Sequence, residues 1–340
     1  MRIVLLLLTA ALALPALIGG CGKAVERREP PLVVSDPAPQ ARFKAPSDDL
    51  AAGGPVRIAF VTHGQASSPF WAVVRNGAEV AARQLDVRLD YRAPDVYGLE
   101  RMTELISQAV ATRPDGLVVS VPEQGIAPAI RRAVRSGIPV VTINSGGDMF
   151  RSLGSLAHVG QPEERAGLLA GRRMARAGVR RALCVIQQPE NVGLQARCRG
   201  LARAMREAGG RSTMVEIDDL DPASVRVIAE AVRSRRADGV LALNATGGLL
   251  ARRALADRPG VLLGVFDLSP DVLRAVRAGD IEFAIDQQAF LQGYVPVQML
   301  THLARYGLFA ARGGLFPTGP EFVTKDQAQR VLELSARSIR

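Results

Sequence analysis

The sequence predicts an α/β protein built as two doubly wound parallel-sheet lobes. Three observations carry this expectation. From Val56 onward, short apolar runs alternate with amphipathic segments of helical period, the pattern of parallel strands joined by covering helices. The runs are near-continuous in Val, Ile, Leu and Ala, as strands covered on both faces require. Two phrases also recur at matching places. Arg113-Pro114-Asp115-Gly116-Leu117-Val118-Val119 is echoed by Arg236-Ala237-Asp238-Gly239-Val240-Leu241-Ala242, and the run 138–144 by the run 260–267. Each member of the first pair reads as a helix end, an exposed Asp-Gly turn and a buried strand. Two similar lobes of roughly four to six strands each follow.

Taken in order, the first buried run is 57–62. An amphipathic helix over 72–85 leads to a strand over 87–91, and a helix over 99–112 leads through the first Asp-Gly turn to 116–121. The helix over 126–136 stops at Ser136-Gly137 and feeds the run 139–144. In the second half, a helix over 163–177 stops at Ala177-Gly178 before the strand 182–187. Helices over 194–208 and 223–235 flank a shorter apolar run, 214–217. The strand 239–244, the helix 249–257 and the strand 261–267 come next. A helix over 270–278 ends at Ala278-Gly279, and a strand over 281–286 precedes a last helix over 288–305. Glycine directly after the last periodic residue is the usual helix stop.

The N-terminus reads differently. Arg2 precedes an apolar run that ends at Ile18, and Gly19-Gly20-Cys21 follows. A basic start, a hydrophobic stretch and small residues before a cut describe a secretory signal over 1–20. The alternative is one transmembrane helix, but about 17 apolar residues lie at the lower edge of a bilayer span. A cysteine after Ile18-Gly19-Gly20 resembles the bacterial lipobox, which implies acylation of Cys21 as the mature N-terminus. Residues 21–54 are proline-rich, with mixed charge and few apolar residues. Such a segment buries too little surface to offset its ordering entropy, so it reads as a lipid-anchored tether.

Composition narrows the partners. The 340-residue chain carries a net charge of +10, and all of its basic residues except Lys23, Lys44 and Lys325 are arginines. These arginines are scattered, without a cluster or a nucleic-acid reading motif, so no nucleic-acid partner is expected. With Cys21 set aside, Cys184 and Cys198 remain. An even remainder in an oxidising compartment suggests one disulfide; the alternative is two buried thiols. Cys184 falls in a strand and Cys198 in the helix that follows, so both are able to face one strand–helix seam. His63, His158 and His302 lack metal-site spacing, and no metal or cofactor is expected.

In open α/β sheets, ligands sit outside the carboxyl ends of the strands. Those positions hold His63, Ser68, Phe70, Trp71, Glu123-Gln124, Asn144-Ser145, Gln188, Asn191, Asn244, Asp267 and Asp286-Gln287-Gln288. Amides, hydroxyls and carboxylates both donate and accept, which suits a polar uncharged ligand. Singly, each also reads as a cap or turn residue. Phe70-Trp71 stands out because Trp71 is the only tryptophan; its flat face suits the C–H face of a ligand, or ordinary helix packing. Catalysis is not expected. No phosphate-cradling loop, nucleophile elbow or dinucleotide fingerprint is present, and no Ser/His/Asp set assembles.

At these residues the chain resembles the type I periplasmic solute-binding proteins of the ribose- and galactose-binding kind, over roughly residues 56–336. The carrying phrases are Asp286-Gln287-Gln288-Ala289-Phe290-Leu291-Gln292-Gly293-Tyr294, Ser68-Pro69-Phe70-Trp71, and Val265-Phe266-Asp267 with Ala278-Gly279, joined by Val159-Gly160 with Ala166-Gly167. The resemblance implies two lobes joined by three crossing segments, near 158–160, 286–288 and 316–319. It implies a first lobe of 55–158 plus 288–317 and a second of 159–287 plus 318–340. It implies ligand contacts from Ser68, Phe70 and Trp71 in the first lobe and from Arg197 in the second, with Asn244, Asp267 and Gln287 matching the family's Asn, Asp and Gln. Asn144 and Ser145 stand where ribose binders carry an Asp-Arg pair, so a neutral pair replaces a charged bidentate one and ribose itself is not the expected ligand. The implied function is capture of a sugar, cyclitol or similar molecule for an ABC permease, on the extracytoplasmic face and lipid-anchored. A receptor subunit that presents the same ligand to a membrane sensor kinase is the alternative. A repressor of the lac kind shares the fold but needs an N-terminal helix-turn-helix.

Overall fold

A computed structural model describes residues 54–64, 68–218, 221–310 and 312–340. The expected signal, Cys21 and the tether up to residue 53 lie outside the described residues. The chain forms β1 (Val56–Val61), α1 (Pro69–Gln84), β2 (Val87–Arg92), α2 (Leu99–Ala111), β3 (Gly116–Ser120), α3 (Ala127–Arg135), β4 (Val140–Ile143), the single turn α4 (Phe150–Leu153) and β5 (Ala157–Gly160). It continues with α5 (Glu163–Arg176), β6 (Arg181–Ile186), α6 (Val192–Glu207), β7 (Arg211–Glu216), α7 (Ser224–Ser234), β8 (Gly239–Ala242), α8 (Ala245–Ala254), β9 (Leu262–Phe266), α9 (Pro270–Ala278) and β10 (Phe283–Asp286). The last elements are α10 (Ala289–Tyr306), β11 (Leu315–Pro317), β12 (Glu321–Val323) and α11 (Lys325–Ser335).

Two six-stranded sheets result, ordered β11-β5-β4-β3-β1-β2 and β12-β10-β9-β8-β6-β7. Every pairing is parallel except β10 with β12. Each sheet is covered on both faces, which explains the continuous apolar runs. Ile58 and Phe60 pack with Val74, Ala78 and Leu300 on one side. Their neighbours Ala59 and Val61 pack with Met102, Ile106 and Ile130 on the other. The second sheet divides in the same way, with Leu183 and Val185 against Ile228, and Cys184 and Ile186 against Met174 and Leu201. The strand period of two sends successive residues to opposite cores.

The recurring Asp-Gly phrases do the same structural work twice. The Asp115 carboxylate accepts from the Arg57 amide at 2.8 Å. That of Asp238 accepts from the Arg180 and Arg181 amides at 3.0 and 2.7 Å. Each turn thereby ties the start of the lobe's first strand to the start of its third. Helix crossings are also duplicated. A Cβ at Gly293 would stand 1.9 Å from the Val74 carbonyl oxygen, and one at Gly167 would stand 2.0 Å from that of Arg197. The α1–α10 and α5–α6 pairs therefore approach at backbone distance, which only glycine permits.

The chain passes between the sheets three times: from β5 to α5, from β10 to α10, and from β11 to β12. This is the expected fold class. Some short elements escaped the sequence pattern. β5 contains a histidine and a glycine, and β11 and β12 have three residues each. β7 starts three residues before its apolar run because Arg211, Ser212 and Thr213 lie along an edge strand. α8 starts at Ala245 rather than 249, since Gly247-Gly248 reads as loop but sits inside the helix. Among the described residues, no helix is long and apolar enough to cross a membrane.

Candidate functional site

The carboxyl ends of the two sheets meet across a cleft, and polar side chains bridge it. At the rim, Asn191 accepts from the Gly193 and Leu194 amides at 3.0 and 3.3 Å, capping α6. The same Oδ1 accepts from the Ser145 hydroxyl of the first lobe at 2.9 Å. Its Nδ2 lies 3.4 Å from Nε2 of His63, whose Nδ1 is 2.8 Å from the Ser120 hydroxyl. The Val192 amide donates to the Pro122 carbonyl at 2.8 Å, a direct backbone bond between lobes. The lobes are closed on one another. Burial lowers the His63 pKa to about 3, so the ring is neutral and able to accept.

At the hinge a chain of amides runs from lobe to lobe. Asn144 Nδ2 donates to Gln292 Oε1 at 3.2 Å and Gln287 Oε1 at 3.4 Å. Gln292 Nε2 donates to the Gln287 carbonyl and to the Thr318 hydroxyl, each at 3.2 Å. Gln287 Nε2 then donates to the Asp267 carboxylate. Asn144 and Asp267 follow β4 and β9, the equivalent strands of the two sheets, and both hold positive φ, 62° and 70°. A left-handed conformation is uncommon for residues other than glycine and concentrates at functional sites.

Arg197 lies on α6 of the second lobe. Its side chain is buried, and Glu163 grips it in a fork: Nε to Oε2 at 2.7 Å and Nη2 to Oε1 at 3.0 Å. Nη1 donates to the Leu243 carbonyl at 2.9 Å, and the guanidinium lies 4.3 Å from the centre of the Phe266 ring. The glycine crossing of α5 and α6 makes the fork short enough to form. Cys198, the next residue, is disulfide-bonded to Cys184, fastening α6 to β6. Burial alone would lower the Arg197 pKa, but the Glu163 charge and hydrogen bonds, with the Asp267 charge, raise it above its ordinary value. Burial pushes the Asp267 carboxyl up to about 6, against the pull of Arg197 and the Gln287 bond.

The aromatic pair divides its work. Phe70 is half-buried and lines a cavity of about 20 Å³ with Val73, Asp267, Leu268, Asp286 and Gln287. Trp71 lies in the first-lobe core, its ring centre 4.8 Å from that of His63. Ser68 precedes α1 without capping it through its side chain. Asn244 caps α8, accepting from the Gly247 amide at 2.7 Å. A broader open groove of about 610 Å³ runs along α1 and β2, on the outer edge of the first sheet.

A family model described as periplasmic binding protein domain matches residues 58–307. The chain belongs to the periplasmic binding protein family. It is similar to the carbohydrate transporter structure of Acidothermus cellulolyticus, solved with myo-inositol: 33% identity, 84% of this chain and 100% of that one, TM-score 0.79. The xylose/arabinose-binding protein of Sulfolobus acidocaldarius is 24% identical, over 81% of this chain and 73% of its own. A solute-binding protein of Burkholderia graminis, solved with D-arabinose, shares the fold at TM-score 0.72 and 23% identity, over 80% of this chain and 96% of that one. As a periplasmic binding protein, the chain is an extracytoplasmic solute binder.

Several residues of this binding protein's cleft were not legible in the sequence. Glu163 opens a helix, where an acid is ordinary for dipole reasons, so its grip on Arg197 was hidden. Gln292 lies within a phrase that carried the family resemblance, but nothing in its place one turn into α10 signals its hydrogen bonds with Asn144 and Thr318. Gln161 Nε2 donates to Glu163 Oε2 at 2.8 Å, while its Oε1 is buried without a hydrogen-bond partner.

Proposed function

We propose that this protein captures a neutral polyhydroxylated molecule, a sugar or cyclitol, between its lobes and delivers it to an ABC permease without making or breaking a bond. One observation carries the reading. A continuous polar chain links Asn144, Gln287 and Asp267 across the hinge, next to an arginine held rigidly by Glu163. These groups offer both donors and acceptors, as hydroxyls need. The myo-inositol and pentose ligands named for its relatives support the same class. In this reading Phe70 packs on the C–H face, Trp71 stands behind it, and Ser68, Ser145 and Asn244 complete the polar rim. The closing bodies are 55–158 with 288–317, and 159–287 with 318–340. Ligand favours closure because it touches both lobes only in that state.

The test is calorimetric titration, together with thermal shift, against myo-inositol, D-xylose, L-arabinose and D-glucose. A ligand bound only by the folded state raises apparent stability. Failure of every neutral polyol up to 10 mM, alongside binding of an amino acid or nucleoside, refutes the proposal. Anchoring through Cys21 is a separate part of it. Cys21→Ala in a bacterial host is expected to leave the membrane fraction, because acylation supplies the buried apolar chain; retention there refutes the anchor.

A further inference from the structure

We propose that Glu163 fixes the charge class of the ligand, making the cleft select neutral polyols and reject their carboxylate analogues. The inference rests on the polyol reading above. An unpaired buried arginine is a carboxylate receptor, because its planar fork matches two oxygens at once. Here that fork is already occupied. Glu163 takes Nε and Nη2, and Leu243 takes Nη1. Three of the five N–H groups of a guanidinium are committed to the protein, and the two that remain serve hydroxyl oxygens.

Charge works in the same direction. The Asp267 charge also acts on Arg197, so one cation faces two carboxylates at this arginine, while Arg340, the other cation at the cleft cavity, is itself paired with Asp286 and Glu321. A uronate entering here meets a balanced arginine and a repelling Asp267. The first-lobe wall offers Asn144 and Ser145, which carry no compensating charge. Glu163 is held in place from three sides: the fork, the Gln161 amide at 2.8 Å, and the backbone-close crossing of α5 over α6. Its carboxylate therefore cannot swing away to make room for that of a ligand.

The experiment compares the best neutral binder among myo-inositol, D-xylose, L-arabinose and D-glucose with D-glucuronate at pH 7.5. It uses the unsubstituted protein, Glu163→Gln and Glu163→Asp, each checked for folding by circular dichroism. The unsubstituted protein is expected to prefer the neutral compound by at least about a hundredfold. Glu163→Gln exposes an uncompensated guanidinium, and the preference should narrow about ten- to hundredfold, the span of one charge-assisted hydrogen bond. Glu163→Asp keeps the charge and should retain the original preference. A folded Glu163→Gln protein that loses affinity for both compounds in equal proportion overturns the inference and leaves the polyol reading intact. Binding of D-glucuronate by the unsubstituted protein within threefold of the neutral compound overturns it without any variant. Absence of binding to every neutral compound refutes the polyol reading and, with it, this inference.

Discussion

Asp267→Asn is expected to stabilise the empty protein at neutral pH while weakening its ligand affinity. The folded environment raises the carboxyl from an ordinary 3.8 to about 6, chiefly by burial. At about 1.4 kcal/mol per pKa unit, ionising it inside the cleft costs roughly 3 kcal/mol at pH 7. The sign follows from proton counts. Below pH 3.8 the group is protonated in both states and costs nothing; between 3.8 and 6 the folded state binds more protons, so stability falls as pH rises; above 6 the full cost is present. Asparagine keeps an oxygen for the Gln287 amide and carries no charge at any pH. Urea unfolding of both proteins at pH 4 and pH 7.5 isolates the term. The variant should gain up to about 3 kcal/mol on the parent at pH 7.5 and little at pH 4. Its affinity for a polyol should fall by about 1.5–3 kcal/mol, the worth of a bond to a charged group. A stability difference independent of pH, or a variant less stable than its parent at pH 7.5, refutes the account of Asp267 as a strained binding group.

Three further outcomes follow from the same structure. His63 and His158 are buried and neutral, with pKa values lowered to about 3 and about 4 from 6.5; their stability contribution is present above pH 6.5 and is lost as pH falls through the folded values. These amount to at most about 5 and 3 kcal/mol, so the urea midpoint should drop steeply between pH 6.5 and 4, and a flat profile refutes their neutrality. Asn191→Ser retains a cap for α6 but is too short for Ser145 and His63; losing these closed-state bonds should weaken ligand affinity by about 1–2 kcal/mol, with folding stability changed by less than about 1 kcal/mol, and an unchanged dissociation constant removes the latch. Replacing Cys184 and Cys198 by serine opens a crosslink of sequence separation 14 and should cost about 3 kcal/mol in the chain-entropy account, with an unaltered urea midpoint as the contrary result.

Legibility in the sequence tracked the range of the interaction involved. Strand runs such as Gly239–Ala242 are visible because burial on both faces demands apolar residues at every position. The Asp115 and Asp238 turns were visible because a local phrase repeats. What stayed hidden were residues whose role is set by a distant partner. Glu163 meets Arg197 across 34 positions, and Asn144 meets Gln292 across 148. Nothing local distinguishes Glu163 from any acid at a helix start, or Gln292 from a solvent-facing amide. Asn191 was seen on the rim, but its cap geometry gives no sign that the same oxygen also binds the other lobe.

The duplicated scaffold explains how the two walls acquired different chemistry without disturbing the fold. Both lobes use the same Asp-Gly tie, the same glycine-to-backbone helix crossing and the same left-handed residue after an equivalent strand. These devices are backbone features, so the side chains beyond them are free to differ. At the left-handed position the first lobe carries Asn144 and the second Asp267. The ionic groups Glu163, Arg197 and Asp267 all sit on elements of the second sheet and its helices. The first-lobe partners in the closed contacts, His63, Ser145 and Asn144, are neutral. Closure therefore brings a neutral surface onto a charge cluster already satisfied within one lobe. Among the described residues no buried ion pair joins the lobes; making and breaking one would impose a desolvation cost of several kcal/mol on every cycle. The bonds that do change hands are the neutral ones at Asn191, Pro122 and Gln287, each worth about 1 kcal/mol. A balance this small would let a bound ligand decide between open and closed.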